Sequence, residues 1–402
     1  PGQARGNSVT AREILDRGAA KIERDLKDQP LVQARLMSTM GRVYDSLGLY
    51  DQALPLQEKA LAARRKLLGE AQLDVATSLI DVGSVLWHRG EYERARPLFE
   101  QGLALRERLL GPEAPLVADS LHNLGNLLWS RGEYDEARRR LTRALAIREK
   151  NAPDSPDTAS TLNSLGAIAY KGGDFAEARR VWERTLAIRE KTLGPDHPLL
   201  AQVLNNLAIV HTFSKDPTAA RPLLERAVSI QEKVLGPKHP DLASGLMNLG
   251  DVVWAMGDAT AAKPYYALAV AILEEASPGN PELARFLDRL ARATLKQGGA
   301  EEARRLYERF LALREKALGP KHHEVAESVA GLADTARRQA RTREAAALYE
   351  RAVALFRRPD GGYYRGATDA LDGYVAVLRA MGQKEHADEM EALAAQLRKQ
   401  DS

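Results

Sequence analysis

The chain has 402 residues, 44% hydrophobic, 28% charged and 5% aromatic, and its 58 basic and 55 acidic side chains leave a formal net charge of +3. Such a balance argues against nucleic-acid binding, which draws on a clear basic excess or stripe. The absence of cysteine excludes disulfides, thiolate metal sites and a cysteine nucleophile, and no apolar run approaches the roughly 18 residues of a membrane-spanning helix. Ala, Leu, Arg and Glu dominate, all strong helix formers, and few stretches alternate as strands do.

The chain opens Pro1-Gly2, without an initiator Met or a visible signal peptide. It reads as an excised fragment, with targeting or catalytic segments expected upstream. Thr10-x-x-Glu13 has the spacing of a capping box and predicts a helix to about Leu26. Pro30 then opens a region of internal repetition.

The repeat is a Gly-x-aromatic-x-x-Ala pattern. It runs through Gly48/Tyr50/Ala53, Gly90/Tyr92/Ala95, Gly132/Tyr134/Ala137 and Gly173/Phe175/Ala178, then through weaker copies at Lys215/Ala220, Gly257/Ala262, Gly298/Ala303, Ala340/Ala345 and Gly382/Ala387. Successive alanines lie 41 or 42 residues apart over nine copies. A second small residue precedes each turn by seven positions: Gly41, Gly83, Gly125, Gly166, Ala208, Gly250, Ala291 and Ala333, with Val375 departing in the ninth copy. Two helices of a hairpin cross closely only where side chains are small, so one small residue on each helix is expected at the contact, with larger apolar residues around it. First helices carry spacings such as Leu121 to Leu128, second helices such as Ala178, Trp182, Leu186 and Ile188; both are apolar stripes of helical period.

Each unit ends as firmly as it begins. Leu193-Gly194-Pro195-Asp196-His197-Pro198 and Leu235-Gly236-Pro237-Lys238-His239-Pro240 read as helix end, turn and helix start, and Leu110-Gly111-Pro112 and Leu318-Gly319-Pro320 repeat the signal. Pro359-Asp360-Gly361-Gly362 reads as a further loop between repeats. The last helix, about Lys384 to Lys399, is rich in charge, as a terminal repeat needs to be. The expected organisation is a tail and capping helix over 1–29, nine repeats over 30–399, and a tail at 400–402.

These residues resemble the tetratricopeptide family, whose usual period is about 34 residues. The longer period, with Ala187-Ile-Arg-Glu-Lys191, Leu193 to Pro198 and Leu204-Asn-Asn-Leu-Ala208, resembles the kinesin-light-chain subtype over about residues 31–398. The resemblance implies an all-α, right-handed superhelical solenoid whose first helices line a concave face. A narrower resemblance lies in Gly6-Asn-Ser-Val-Thr-Ala-Arg-Glu-Ile-Leu-Asp-Arg-Gly18 and Met40-Gly-Arg-Val-Tyr44, which look like the C-terminal sensor region of bacterial serine/threonine kinases. In such proteins a kinase domain and usually a membrane helix come first.

The family's groove positions lie two before and four after the small residue. The first set gives Asp81, Asn123, Ser164, Asn206 and Asn248, with Asn126, Asn163 and Asn205 alongside. Amides can both donate to and accept from an extended peptide; alternatively they bond the neighbouring hairpin. The second set gives Trp87, Trp129, Tyr170 and Trp254, with Phe213 one position on. These are either exposed aromatic anchors or core packed beneath the next repeat, while Trp182, on a second helix, reads as core. In the seventh repeat Arg285, Arg289, Arg292 and Lys296 form a helical stripe able to receive carboxylates or phosphates, or merely a solvated face, with Asp288 close enough to neutralise part of it.

His197, His239, His322 and His323 recur in turns and read as structural, and no phosphate loop or nucleophile–base grouping appears. Arg138, Arg139 and Arg140 fall on a second helix and read as solvated. The expectation is therefore a non-enzymatic module, without cofactor or metal, that binds a partner protein or peptide in its groove. The alternative is a scaffold for self-assembly or dimerisation. The expected location is cytoplasmic, or the outer side of a membrane in a membrane-anchored bacterial kinase.

Overall fold

The computed structural model describes residues 11–400. Thr10, and with it the expected capping box, lies outside the described residues, as does much of the kinase-like opening. A first helix, α1, spans Ala11–Asp25. Every later described helix belongs to a hairpin, and the chain divides into two compact units, Pro1–Gly194 and Pro195–Ser402.

The first unit holds α1 and four hairpins: α2 (Pro30–Ser46) with α3 (Tyr50–Leu68), α4 (Leu73–His88) with α5 (Tyr92–Leu110), α6 (Pro115–Ser130) with α7 (Tyr134–Asn151), and α8 (Pro156–Lys171) with α9 (Phe175–Leu193). The second holds five: α10 (Pro198–Phe213) with α11 (Pro217–Leu235), α12 (Pro240–Ala255) with α13 (Ala259–Ala276), α14 (Glu282–Lys296) with α15 (Ala300–Leu318), α16 (Val325–Arg338) with α17 (Thr342–Phe356), and α18 (Ala367–Ala380) with α19 (Lys384–Gln400). Within each unit each helix packs on the next, and first helices of successive hairpins also touch, as α2 with α4 and α16 with α18.

The small residue of each first helix sits where expected, but what faces it differs from the expectation. Rather than meeting another small residue, it accommodates the large one lying sixteen positions later on the second helix. A Cβ on Gly83 would fall 2.9 Å from the Phe99 ring, on Gly125 2.6 Å from Leu141, on Gly166 2.5 Å from Trp182 and on Gly250 2.5 Å from Tyr266. The repeating alanines, such as Ala95 and Ala137, are buried one helical turn before these residues. In the ninth hairpin the corresponding residue is Glu391, which turns to Arg379 at 2.7 Å; with no ring to admit, Val375 is tolerated.

A second device joins hairpin to hairpin. Arg64, Arg106 and Arg148, near the ends of α3, α5 and α7, are buried and reach into the next first helix. Arg106 donates to the Leu116 carbonyl at 2.9 Å and to Ser120 Oγ at 3.0 Å. Arg64 donates to Ser78 Oγ at 2.6 Å, and Arg148 to the Asp157 carbonyl at 2.8 Å and to Asp119 at 2.7 Å. Histidine caps the helices after two of the turns: the ring Nδ1 of His197 accepts from the Leu199 N–H and that of His239 from the Asp241 N–H, both at 3.2 Å.

The connection between α17 and α18 is unlike the others. Arg357 and Tyr363 form an antiparallel bridge, Arg358 N–H bonds the Gly362 carbonyl at 2.8 Å and Tyr364 N–H the Phe356 carbonyl at 2.8 Å. Tyr364 stacks on His323 at 3.9 Å between ring centroids. This small hairpin fixes Arg365 and Gly366 ahead of α18.

Candidate functional site

The first-helix face of each unit carries the residues singled out by their register. Asn123, Asn206 and Asn248 are half-buried, and their side-chain amides bond nothing among the described residues. Asp81, at the same register, is engaged: it accepts from Ser38 at 2.9 Å and Arg42 at 3.3 Å. Burial pushes its carboxyl up, and those two partners oppose the shift. Ser164 donates back to the Ser160 carbonyl at 3.3 Å. Asn126 spends its amide on His122 Nε2 at 3.0 Å. The Oδ1 atoms of Asn163 and Asn205 are buried without a hydrogen-bond partner. Asn205 and Asn206, with Gln202 and Gln231, line a cleft of about 490 Å³ in the second unit.

The aromatic positions divide. Trp87 and Trp129 are half-buried against the core of the first unit. Trp87 Nε1 donates to Ser130 Oγ, one hairpin on, at 3.0 Å, and Trp129 lies 4.9 Å from the Tyr134 ring. Tyr170 packs between Phe175 and Trp182, at 5.8 and 6.1 Å. Trp182 itself is core, at 3% exposure. Phe213 and Trp254 stand out from the surface, at 56% and 36% exposure.

The basic stripe is not the open row its spacing suggests. Arg285 leans on Glu282 at 3.5 Å and over the Phe286 ring. Arg289 pairs with Asp251 at 3.0 Å. Arg292 grips the buried Asp288 with both carboxylate oxygens at 2.9 and 3.0 Å. Lys296 alone of the four has no carboxylate partner among the described residues. Arg289, Arg292 and Lys296 border a cleft of about 720 Å³ in the second unit that Arg285 does not reach. Its other cations, Arg338 and Arg365, come from α16 and the small hairpin, and sequence spacing did not single them out.

The buried tyrosines of the second unit underlie this region. Tyr266 donates to Asp251 at 2.9 Å and Tyr349 to Asp334 at 2.6 Å. Burial and the adjoining Asp251 carboxylate hold the Tyr266 phenol far above its usual range, so it remains a donor. Of metal-ligating groups, His322, His323 and Glu324 bring donor atoms within 4.8 Å of one another. His322 Nδ1 already accepts the Glu324 N–H at 3.3 Å, and Arg314 pairs with the Glu324 carboxylate.

The tetratricopeptide repeat family matches residues 32–108, 74–150, 157–233, 214–275 and 282–358, and the chain belongs to that family. Among solved structures, the apo form of RapI covers 91% of the chain and 98% of its own length at 12% identity, with a TM-score of 0.67. Kinesin-light-chain TPR-like repeats from Podosopora anserina are 26% identical over 51% of the chain and 97% of their own length, with a TM-score of 0.44. BtubC from P. vanneervenii is 22% identical over 65% and 91%, with a TM-score of 0.47. The likeness to RapI is one of fold. A comparison with curated proteins found no match. Tetratricopeptide hairpins are an interaction scaffold, and no described helix is long and apolar enough to cross a membrane.

Proposed function

We propose that the chain binds an extended segment of a partner protein along its first-helix faces, the asparagines gripping the peptide backbone and the exposed aromatics receiving its side chains. The observation that carries this reading is the idle amides of Asn123, Asn206 and Asn248. A half-buried amide can serve one donor and one acceptor of an extended backbone at once, and an amide kept for packing would spend those groups on a neighbour, as Asn126 does on His122. The stripe residues Arg285, Arg289, Arg292 and Lys296, with Trp87, Trp129, Tyr170, Asn163 and Asn205, flank the same faces as secondary contacts. The role of sensor or recruitment region in a bacterial signalling kinase, cytoplasmic or on the outer side of a membrane, rests on the resemblance of residues 6–18 and 40–44.

The test is a peptide-display selection on the whole chain, followed by titration of Asn123→Ala, Asn206→Ala and Asn248→Ala with the selected peptides. Each substitution is expected to weaken binding about tenfold, the cost of one or two hydrogen bonds, while shifting stability by less than about 0.5 kcal/mol. Equal binding by all three variants would remove the reading, as would a large loss of stability. A concentration-dependent oligomer that hides these residues would instead favour the self-assembly scaffold.

A further inference from the structure

The cleft of about 720 Å³ in the second unit arises where the repeat pattern changes. At the register that carries Asp81, Asn123, Ser164, Asn206 and Asn248, the eighth and ninth hairpins carry Gly331 and Gly373. Both glycines are pressed by a tyrosine of the preceding second helix: a Cβ would fall 2.2 Å from Tyr307 and 2.4 Å from Tyr349. The groove therefore loses two side chains, and aromatic rings close up against bare backbone. Trp254 borders one end and the first turn of α18 the other.

The charges around this cavity are unevenly spent. Arg289 and Arg292 are consumed by Asp251 and Asp288, and Asp334 by Arg337 and the Tyr349 hydroxyl. Three of its cations have no ionic partner among the described residues: Lys296 on α14, Arg338 on α16, and Arg365 on the small hairpin. They come from three different elements. Lys296 and Arg338 occupy the same place in successive repeats, and Arg365 is presented by a loop that the His323–Tyr364 stack anchors. Two carboxylates of the cleft, Glu327 and Asp369, are likewise without an ion pair among the described residues, so the three cations outnumber them by one, and that excess favours an incoming carboxylate.

We propose that this cleft receives an acidic segment of a partner polypeptide, its Asp or Glu side chains pairing with Lys296, Arg338 and Arg365. The inference rests on the peptide-binding reading above and names the partner's chemistry. Carboxylates fit better than phosphates: Glu327, Asp334 and Asp369 also line the cleft and repel a dianion more strongly than interleaved monoanions. An acidic strand can thread between these carboxylates because its own negative charges are spaced by neutral backbone.

The experiment measures fluorescence anisotropy of a labelled glutamate-rich peptide with the whole chain, beside its lysine-rich counterpart and a phosphoserine peptide. The variants are Lys296→Gln, Arg338→Gln and Arg365→Gln, with Arg343→Gln on the exposed side of α17 as control and far-UV circular dichroism to check each fold. The glutamate peptide is expected to bind, with affinity falling as salt rises, and each cleft variant to weaken it about three- to tenfold while the control does not. A loss as large in Arg343→Gln would overturn the proposal, since attraction would then be general to the surface. Preference for the phosphoserine peptide would overturn it in favour of a phosphorylated partner. If the glutamate peptide fails while display-selected peptides still bind through the asparagines, this inference falls and the peptide-binding reading stands. If no peptide binds at all, both fall.

Discussion

At position 340 an alanine holds φ 57°, a left-handed conformation that seven of the nine intra-hairpin turns give to glycine; Lys215, at φ 58°, is the other exception. A residue with a Cβ pays roughly 1–2 kcal/mol there, partly offset by glycine's larger entropy loss of about 0.5–1 kcal/mol. Ala340→Gly is therefore expected to raise stability by about 0.5–1 kcal/mol, visible as a higher Tm; an unchanged or lower Tm would show that the turn carries no strain. A second single-residue effect belongs to His122. Burial first, then the nearby Arg148 guanidinium, pushes its imidazole from 6.5 to about 4, and it sits between Asn126 and Thr161 Oγ1, at 3.0 and 3.4 Å. Because the folded-state value is depressed, the unfolded chain takes up a proton that the native chain refuses. Stability should thus fall as pH drops from about 6.5 to about 4 and level off below, a loss on the order of a few kcal/mol. In His122→Gln the slope of unfolding free energy against pH should be shallower across that window; parallel profiles would contradict the assignment.

At the scale of helices, the buried arginines decide how one hairpin grips the next. Burial lowers the pKa of Arg106, and Asp119 and Asp81 oppose that shift; it remains charged, tied to a carbonyl and a hydroxyl. Arg106→Met keeps the apolar stem but removes the donor to Ser120 Oγ and leaves the Leu116 carbonyl with the Ser120 hydroxyl as its remaining side-chain donor, at an expected cost of about 1–3 kcal/mol. The loss should be local, so amide exchange should quicken first in α5 and α6; uniform quickening, or none, would deny Arg106 this role. Such a clip was legible in part. The period and the small residues are covalent regularities, and they fixed the hairpins, their boundaries and the polar last helix. Arg64, Arg106, Arg148 and Arg189 recur at the same period, so the signal was present, but an arginine that opens a run of three charged residues reads as surface until the next helix closes over it. The candidate site was less legible for a similar reason. Spacing places Arg289 and Arg292 on one face, but their neutralisers come from α12 and from Asp288 on the same helix, and Arg365 arrives on a loop whose bridge has no periodic signature. Whether an aromatic at the groove register is exposed also depends on its neighbours: Trp87 finds Ser130, whereas Trp254 stands out from the surface.

In a repeat array each hairpin contacts mainly its neighbours, so stability is close to a sum of local terms and unfolding need not be all-or-none for the whole chain. The two units, Pro1–Gly194 and Pro195–Ser402, each contain what a folded array requires. The first has its own core, from Ala34 through Ile168, and the second has cores around Tyr266 and Phe310 and around Tyr349 and Tyr374. The division falls at a helix end: Gly194 is the C-cap of α9, and α10 begins with Pro198 behind its His197 cap. Neither helix is cut. Four and five hairpins exceed the minimum of about three repeats that such arrays need to stand alone. Fragments 1–194 and 195–402, expressed separately, are therefore each expected to be helical by far-UV circular dichroism and to melt cooperatively, and the whole chain to show a denaturant slope below that of a single globular domain of its length. A fragment that stayed unfolded in isolation would mean that its internal contacts are too few to offset its chain entropy, and local additivity would fail for this array.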